Sequence, residues 1–249
     1  MTQVSIVPVG GLPEVEPGAD LAGLLLAALE RLRLTPGETD VVVVTQKVVS
    51  KAEGRVVRLD TVTPGSEAKR LAGVTGFEPR HVEVILGESV RFVRVAPRVL
   101  ISETRQGFVC ANAGVDRSNT GGVDQAVLLP VDPDASAAAL RQRLAQATGV
   151  AVGVVISDSF GRAWREGQVN VAIGAAGVAC LTDYRGARDE DGYQLQGTVL
   201  ATADELAAAA ELVMRKLDRV PAAVVRGRDV RGEGDARVLR RDPALDLFR

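Results

Sequence analysis

VRFVRVAPRVLISETRQGFVCAN, residues 90–112, alternates apolar and polar side chains in segments. A period of two is the signature of half-buried strands, so this stretch predicts two or three antiparallel strands. It decides the fold class, because successive antiparallel strands interrupt the strict strand–helix alternation of a doubly wound sheet.

The flanking pattern is mixed on both sides. Residues 3–9 read as a short strand ending in the turn Gly10-Gly11-Leu12-Pro13. Asp20 is placed to cap a helix through about Leu34, with Leu21, Leu24, Leu25, Leu29 and Leu32 on one face. The valines 41–44 predict a buried strand. Pro64 suits the first turn of a helix to about Leu71, and His81–Leu86 reads as another short helix. Downstream, Asp134–Gly149 reads as a helix with an Asp cap and a Gly stop, and Val150–Ile156 as a strand. Val169–Ala176 fits helix or strand. Thr202–Leu217 reads as a long amphipathic helix, and Ala222–Arg226 as a final strand. Elements so mixed favour α+β. We expect one domain over residues 1–249; whether it holds two intergrown subdomains is open.

Composition narrows the function. The chain has 249 residues, of which 46% are hydrophobic and 25% charged, ordinary for a globular protein. Lys and Arg total 30 against 32 Asp and Glu, a net charge of −2, which argues against a general nucleic-acid or electrostatic membrane binder. Aromatic residues are only 3%, leaving few rings for base stacking. The single histidine, His81, excludes a His-rich zinc site. Cys110 and Cys180 lie far apart, as expected of buried thiols in a reducing cytosol. No apolar run is long enough to span a membrane, and the N-terminus has no signal-peptide pattern. We expect a cytoplasmic protein. There is no Gly-Lys dipeptide for a Walker A loop, no G-x-G-x-x-G, no G-x-S-x-G and no H-E-x-x-H.

Four constellations offer chemistry. In Ile156-Ser157-Asp158-Ser159-Phe160-Gly161-Arg162, an apolar strand runs into an Asp and a hydroxyl. These are hard oxygen donors suited to Mg²⁺ or Mn²⁺, or simply a turn cap. Cys110–Asn119 ends a second apolar strand in Gly114, Asp116 and Asn119. Two carboxylates at strand ends could converge on a cation pair that clamps a transferring phosphoryl group. Gln46–Arg55 follows the valine strand, and its Lys47 and Lys51 either face phosphates or form a solvated pair. Asp183–Tyr193 and Arg162–Glu166 set Tyr184, Tyr193 and Trp164 among arginines, fit for a planar anionic ligand or for a surface loop with its own ion pairs.

Taken in order, GLPE, SKAEGR, FVCANAGVDRSN, ISDSFGR, QVNVAIGAAGV and DYRGARDEDGY resemble the coenzyme F420-0:L-glutamate ligases, or γ-glutamyl ligases. The resemblance spreads from about residue 6 to residue 228. It implies an α+β fold of mixed and antiparallel sheets with flanking helices, in an intertwined homodimer. It implies that GTP activates a carboxylate of F420-0 as an acyl phosphate, which L-glutamate converts to an amide; a second, γ-linked glutamate can follow. Mn²⁺ or Mg²⁺, and K⁺, accompany the nucleotide.

By position, the resemblance makes Asp116 and Asp158 the metal carboxylates through which catalysis runs, with Ser159 as a metal-binding hydroxyl. It assigns Gly11, Leu12, Pro13, Glu14, Gln46, Lys47, Lys51 and Asn119 to the nucleotide, together with Met214 and Lys216. Arg162, Trp164, Arg165, Tyr184 and Arg185 are expected on the deazaflavin or glutamate side. The stretch Met214-Arg215-Lys216-Leu217-Asp218-Arg219 departs from the pattern, which often has Met-Gly and then an acidic or amide metal ligand. A protonated Lys216 ligates no cation; contact with a phosphate is the alternative. A related ligase with another amino acid or acceptor, or a silent nucleotide-binding module, remains an alternative on the same residues.

Overall fold

The computed structural model describes residues 3–120, 122 and 124–246. In chain order the elements are β1 (Ser5–Val9), α1 (Leu21–Arg31), β2 (Val41–Thr45), α2 (Gln46–Ala52), β3 (Val56–Arg58), α3 (Ser66–Thr75) and α4 (Pro79–Glu88). Then come β4 (Ser89–Ala96), β5 (Val99–Thr104), β6 (Val109–Ala111), β7 (Gln125–Val127), α5 (Pro133–Thr148), β8 (Gly153–Arg162) and β9 (Arg165–Ala176). Last are β10 (Thr182–Asp183), β11 (Val199–Leu200), α6 (Thr202–Met214) and β12 (Ala222–Arg226).

The largest sheet has the order β1-β12-β2-β8-β9. Only β2 and β8 run parallel; every other neighbouring pair is antiparallel. The valines of β2 show why this sheet is covered on both sides. Val42 and Val44 pack with Leu25 and Leu29 of α1 and Leu140 and Leu144 of α5. Val41 and Val43 face the other way, onto Ala203, Leu206 and Ala207 of α6. Alternation along one strand thus sends side chains into two cores.

A third core lies between α3, α4 and the antiparallel sheet β4-β5-β6, around Leu71, Ile85 and Leu100. This is the stretch read first from the sequence, and it forms three antiparallel strands as expected. The architecture is mixed α/β, with one mixed sheet and smaller antiparallel ones.

Several local expectations are corrected. Helix α5 is capped by Asp132, whose side chain accepts from the Ala135 N–H, and not by Asp134. Asp134 is buried, and its Oδ1 accepts from the Ala175 N–H at 2.9 Å and the Ala236 N–H at 2.7 Å. The stop at Gly149 holds, with φ of 75° in the left-handed region that glycine adopts freely. Val169–Ala176, ambiguous by pattern, is strand. The strand expected to end at Ile156 continues through Asp158 and Ser159 to Arg162 by pairing with β9. Helix α6 stops at Met214, where Arg215 takes φ of 48°, so Lys216 lies beyond the helix. Helix α2 has no clear apolar stripe in its seven residues and was not expected.

Candidate active site

One cavity, of about 470 Å³, gathers segments that are remote in sequence. The β1–α1 connection supplies Leu12, Pro13, Glu14 and Val15. The start of α2 supplies Lys47, Val48 and Lys51, which one helical turn places on a common face. The loop after β6 brings Asp116 and Asn119, and the β8–β9 ladder brings Asp158, Ser159 and Asn170. Glu211 and Met214 of α6, and residues 215–217 and 219–221 beyond it, close the remaining wall.

Asp116 is held from two sides. Lys47 Nζ donates to its Oδ2 at 2.8 Å and also to the Ser118 carbonyl at 2.7 Å. The Ser118 N–H donates to Oδ1 at 2.6 Å. Burial is the largest influence on this carboxyl and pushes it up; the Lys47 ammonium and the Ser118 donors together outweigh it and hold the group below the ordinary carboxylate range. His81 sits beneath the same loop, bonded to the Val115 backbone. Burial first, and then the Arg117 charge, push its imidazole down.

Asp158 has no such ammonium in contact. Burial pushes its carboxyl up to about 6 against the Ser159 N–H, with Asp116 adding repulsion and Lys216 and Lys47 drawing it back. The two aspartates thus feel one another across the cavity. Burial also pushes the Cys110 thiol up to about 12, with the Asp158 charge contributing, so this cysteine is inert, as its apolar setting suggested.

A half-buried polar chain runs from β8 through β9 to α6. Ser159 Oγ donates to Asn170 Oδ1 at 2.7 Å, and Asn170 Nδ2 donates to Glu211 Oε2 at 2.8 Å. Asn170 is only 5% exposed. Neither Asn170 nor Glu211 was singled out from the sequence. The available signals were a lone amide in the apolar alternation of QVNVAIG, and an acidic residue one turn before Met214 on an alanine-rich helix.

Of the residues expected at a nucleotide, Leu12, Pro13, Glu14, Lys47, Lys51, Asn119, Met214 and Lys216 line the cavity. Lys51 pairs with Glu14, and Asn119 Nδ2 reaches the Lys216 carbonyl at 3.5 Å. Gly11 and Gln46 do not line it. The Gly11 carbonyl accepts from Arg31, and Gln46 is buried and accepts from Ser50 Oγ. Asp116, Asp158 and Ser159 all line it. Arg162, Trp164, Arg165, Tyr184 and Arg185 lie outside the lining. Trp164 is 78% exposed at the β8–β9 turn, and Arg185 pairs with Asp183 at 2.5 Å.

Among the described residues, no group of three or more His, Cys, Asp or Glu side chains is placed to hold a metal ion. The donor set is two aspartates and a serine hydroxyl, all hard oxygens. Mg²⁺ commonly takes one or two carboxylates and completes its shell with water and substrate phosphates, so this set fits a cation that arrives with a nucleotide. No helix among the described residues is long and apolar enough to cross a membrane.

The sequence model of the family described as F420-0:Gamma-glutamyl ligase matches residues 11–227. The chain is similar to the coenzyme F420:L-glutamate ligase of Methanothermobacter thermautotrophicus, at 45% identity over 99% of each chain. The protein of the same name from Methanopyrus kandleri is 47% identical over 96% of this chain and 100% of its own length. That from Archaeoglobus fulgidus is 42% identical over 99% and 97%.

Proposed function

This chain belongs to the F420-0:gamma-glutamyl ligase family, and on that premise we propose that it joins L-glutamate to coenzyme F420-0 at the expense of GTP. The observation that carries the reading is the cavity in which Asp116 and Asp158 face one another among Lys47, Lys51 and Lys216. Amide formation from a carboxylate needs a leaving group better than oxide. Transfer of the GTP γ-phosphoryl group to the F420-0 carboxylate supplies it: a carboxylate O–P bond forms, the bond to GDP breaks, and an acyl phosphate results. The glutamate ammonium gives up one proton to become a free amine, which forms the C–N bond as inorganic phosphate leaves and takes the second proton.

Phosphoryl transfer needs alignment and neutralisation more than a protein nucleophile. The lysines provide fixed positive charge for the phosphates, and Asn119 with the Leu12–Glu14 turn positions the nucleotide. Asp116 and Asp158, with Ser159, would hold Mn²⁺ or Mg²⁺, which when bound supplies charge neutralisation at the phosphates. K⁺ belongs to the same reading. The exposed Trp164 ring and the Tyr184–Arg185 arm are proposed to meet the planar deazaflavin. A homodimer is also proposed, supported by the exposed apolar side chains Leu181, Tyr193, Val199 and Leu200 around β10 and β11. Light scattering should give twice the chain mass; a monomer at working concentration would remove this part.

The test of function is mass spectrometry of a reaction containing F420-0, L-glutamate, GTP and Mn²⁺. The expected result is a product heavier by one or two glutamyl units, with GDP released. No mass gain with GTP intact would sink the proposal.

A further inference from the structure

We propose that Glu211 receives the ammonium group of the amino-acid co-substrate, with Asn170 as the residue that positions it; the inference rests on the ligase reading above. A ligase must hold an amine close to an activated carboxyl, at roughly 3–3.5 Å. An amino acid carries that amine as a cation, so its subsite needs an anionic or strongly polar acceptor inside the cavity. The loops that the sequence offered for this task, around Trp164 and Tyr184, do not line the cavity.

The acidic side chains that do line it are Glu14, Asp116, Asp158 and Glu211. Glu14 pairs with Lys51, and Asp116 pairs with Lys47. Asp158 and Asp116 are the carboxylates suited to a divalent cation. Glu211 does not join that pair as a third ligand, since no three His, Cys, Asp or Glu side chains among the described residues are placed to hold a metal ion. Its Oε2 accepts from Asn170, and none of the ion pairs formed by the described Lys and Arg residues involves it. One carboxylate oxygen is thus fixed by an amide, and the other is left for a ligand.

The position of this carboxylate selects the ligand. Through Asn170 it is joined to Ser159, the neighbour of Asp158, and so lies at the reacting end of the cavity. Asn170 accepts from Ser159 and donates to Glu211, which fixes its amide orientation and with it the rotamer of Glu211. A preset carboxylate beside the reaction centre suits an incoming ammonium. A nucleoside would instead occupy the wall formed by Leu12, Val48 and Val220.

The experiment compares the unaltered protein with Glu211→Gln, which keeps the shape and the Asn170 contact but removes the charge. Three readouts are taken: the KM for L-glutamate, the GTP dissociation constant by calorimetric titration without amino acid, and trapping of the acyl phosphate by hydroxylamine. Hydroxylamine is largely uncharged at neutral pH and needs no anionic anchor. The expected result is a rise in KM for L-glutamate of about 10- to 100-fold, as for loss of a hydrogen bond to a charged group. The ratio of glutamyl product to hydroxamate falls with it. GTP affinity stays within about twofold of that of the unaltered protein, because the inference gives the nucleoside the Leu12, Val48 and Val220 wall and leaves this carboxylate to the amino acid. Asn170→Ala moves the KM in the same direction. An unchanged KM for L-glutamate overturns the inference and leaves the ligase reading standing. Weakened GTP binding assigns Glu211 to the nucleotide, and parallel loss of both products assigns it to phosphoryl transfer; either overturns the inference. If the unaltered protein yields neither product, the ligase reading fails and takes the inference with it.

Discussion

Asp116→Asn is expected to lower glutamyl transfer by roughly 10³-fold or more, on the several kcal/mol that a cation-holding carboxylate contributes to a charged transition state. Asparagine keeps the shape and one oxygen, so the Ser118 N–H retains an acceptor. What disappears is the negative charge. Lys47 then loses its ion-pair partner, and the pair of carboxylates facing the phosphates becomes a single one. The fold should barely respond. The Asp116 side chain is 32% exposed, and a partly exposed ion pair of this kind is worth only about 1 kcal/mol. Turnover and thermal unfolding measured on the same preparation separate the two effects. Turnover within about tenfold of the unaltered protein would sink the role given to Asp116, since loss of such an interaction exceeds one decade. A large fall in melting temperature would instead reassign the residue to folding.

The largest stability effect is expected at Asp134, a residue with no place in the proposed chemistry. Its Oδ1 is shared by two backbone donors, Ala175 of β9 and Ala236 near the C-terminus, and the side chain is buried. Asp134→Ala strands both N–H groups, at a cost of about 1–3 kcal/mol each. For a chain of this size that corresponds to a fall in melting temperature of roughly 4–24 °C. Asp134→Asn retains an acceptor at the same place and should recover most of the loss. A melting temperature unchanged by Asp134→Ala would show that water satisfies these donors. The junction is tight as well as polar. A side chain at Gly174 would meet the Pro133 carbonyl oxygen at 2.3 Å, so β9 and the start of α5 touch backbone to backbone. Glycine is needed there for close approach.

These two aspartates show how far local pattern reaches. Asp132-Pro133-Asp134 presents two acids around a proline, and both are acceptable helix caps by type. The helix starts at Pro133, so Asp132 takes the cap and Asp134 is turned inward to a strand and a tail that pattern cannot foresee. Asp158 is a similar case. An apolar run followed by Asp-Ser reads as a strand end, yet the strand continues because β9 offers it a partner across the ladder. Partnering is a long-range fact and overrides the local stop. Helix α2 was missed because its seven residues are too few to show a period.

By itself the sequence determined the residue types and their order: two strand-borne aspartates, the lysine pair after the valine strand, and a motif series specific enough to name the family. It also determined the strands of residues 90–112 and the helix stop at Gly149, since both depend on neighbours within a few positions. The tertiary structure decided which polar groups meet. Lys47 and Asp116 are 69 residues apart, and Asn170 and Glu211 are 41 apart. Their contacts follow from sheet order and helix packing, which bring remote segments to one cavity, and no spacing along the chain encodes that. For the same reason Gln46, one residue from Lys47, turned into the core, while Asn170 and Glu211, inconspicuous in the sequence, came to line the site.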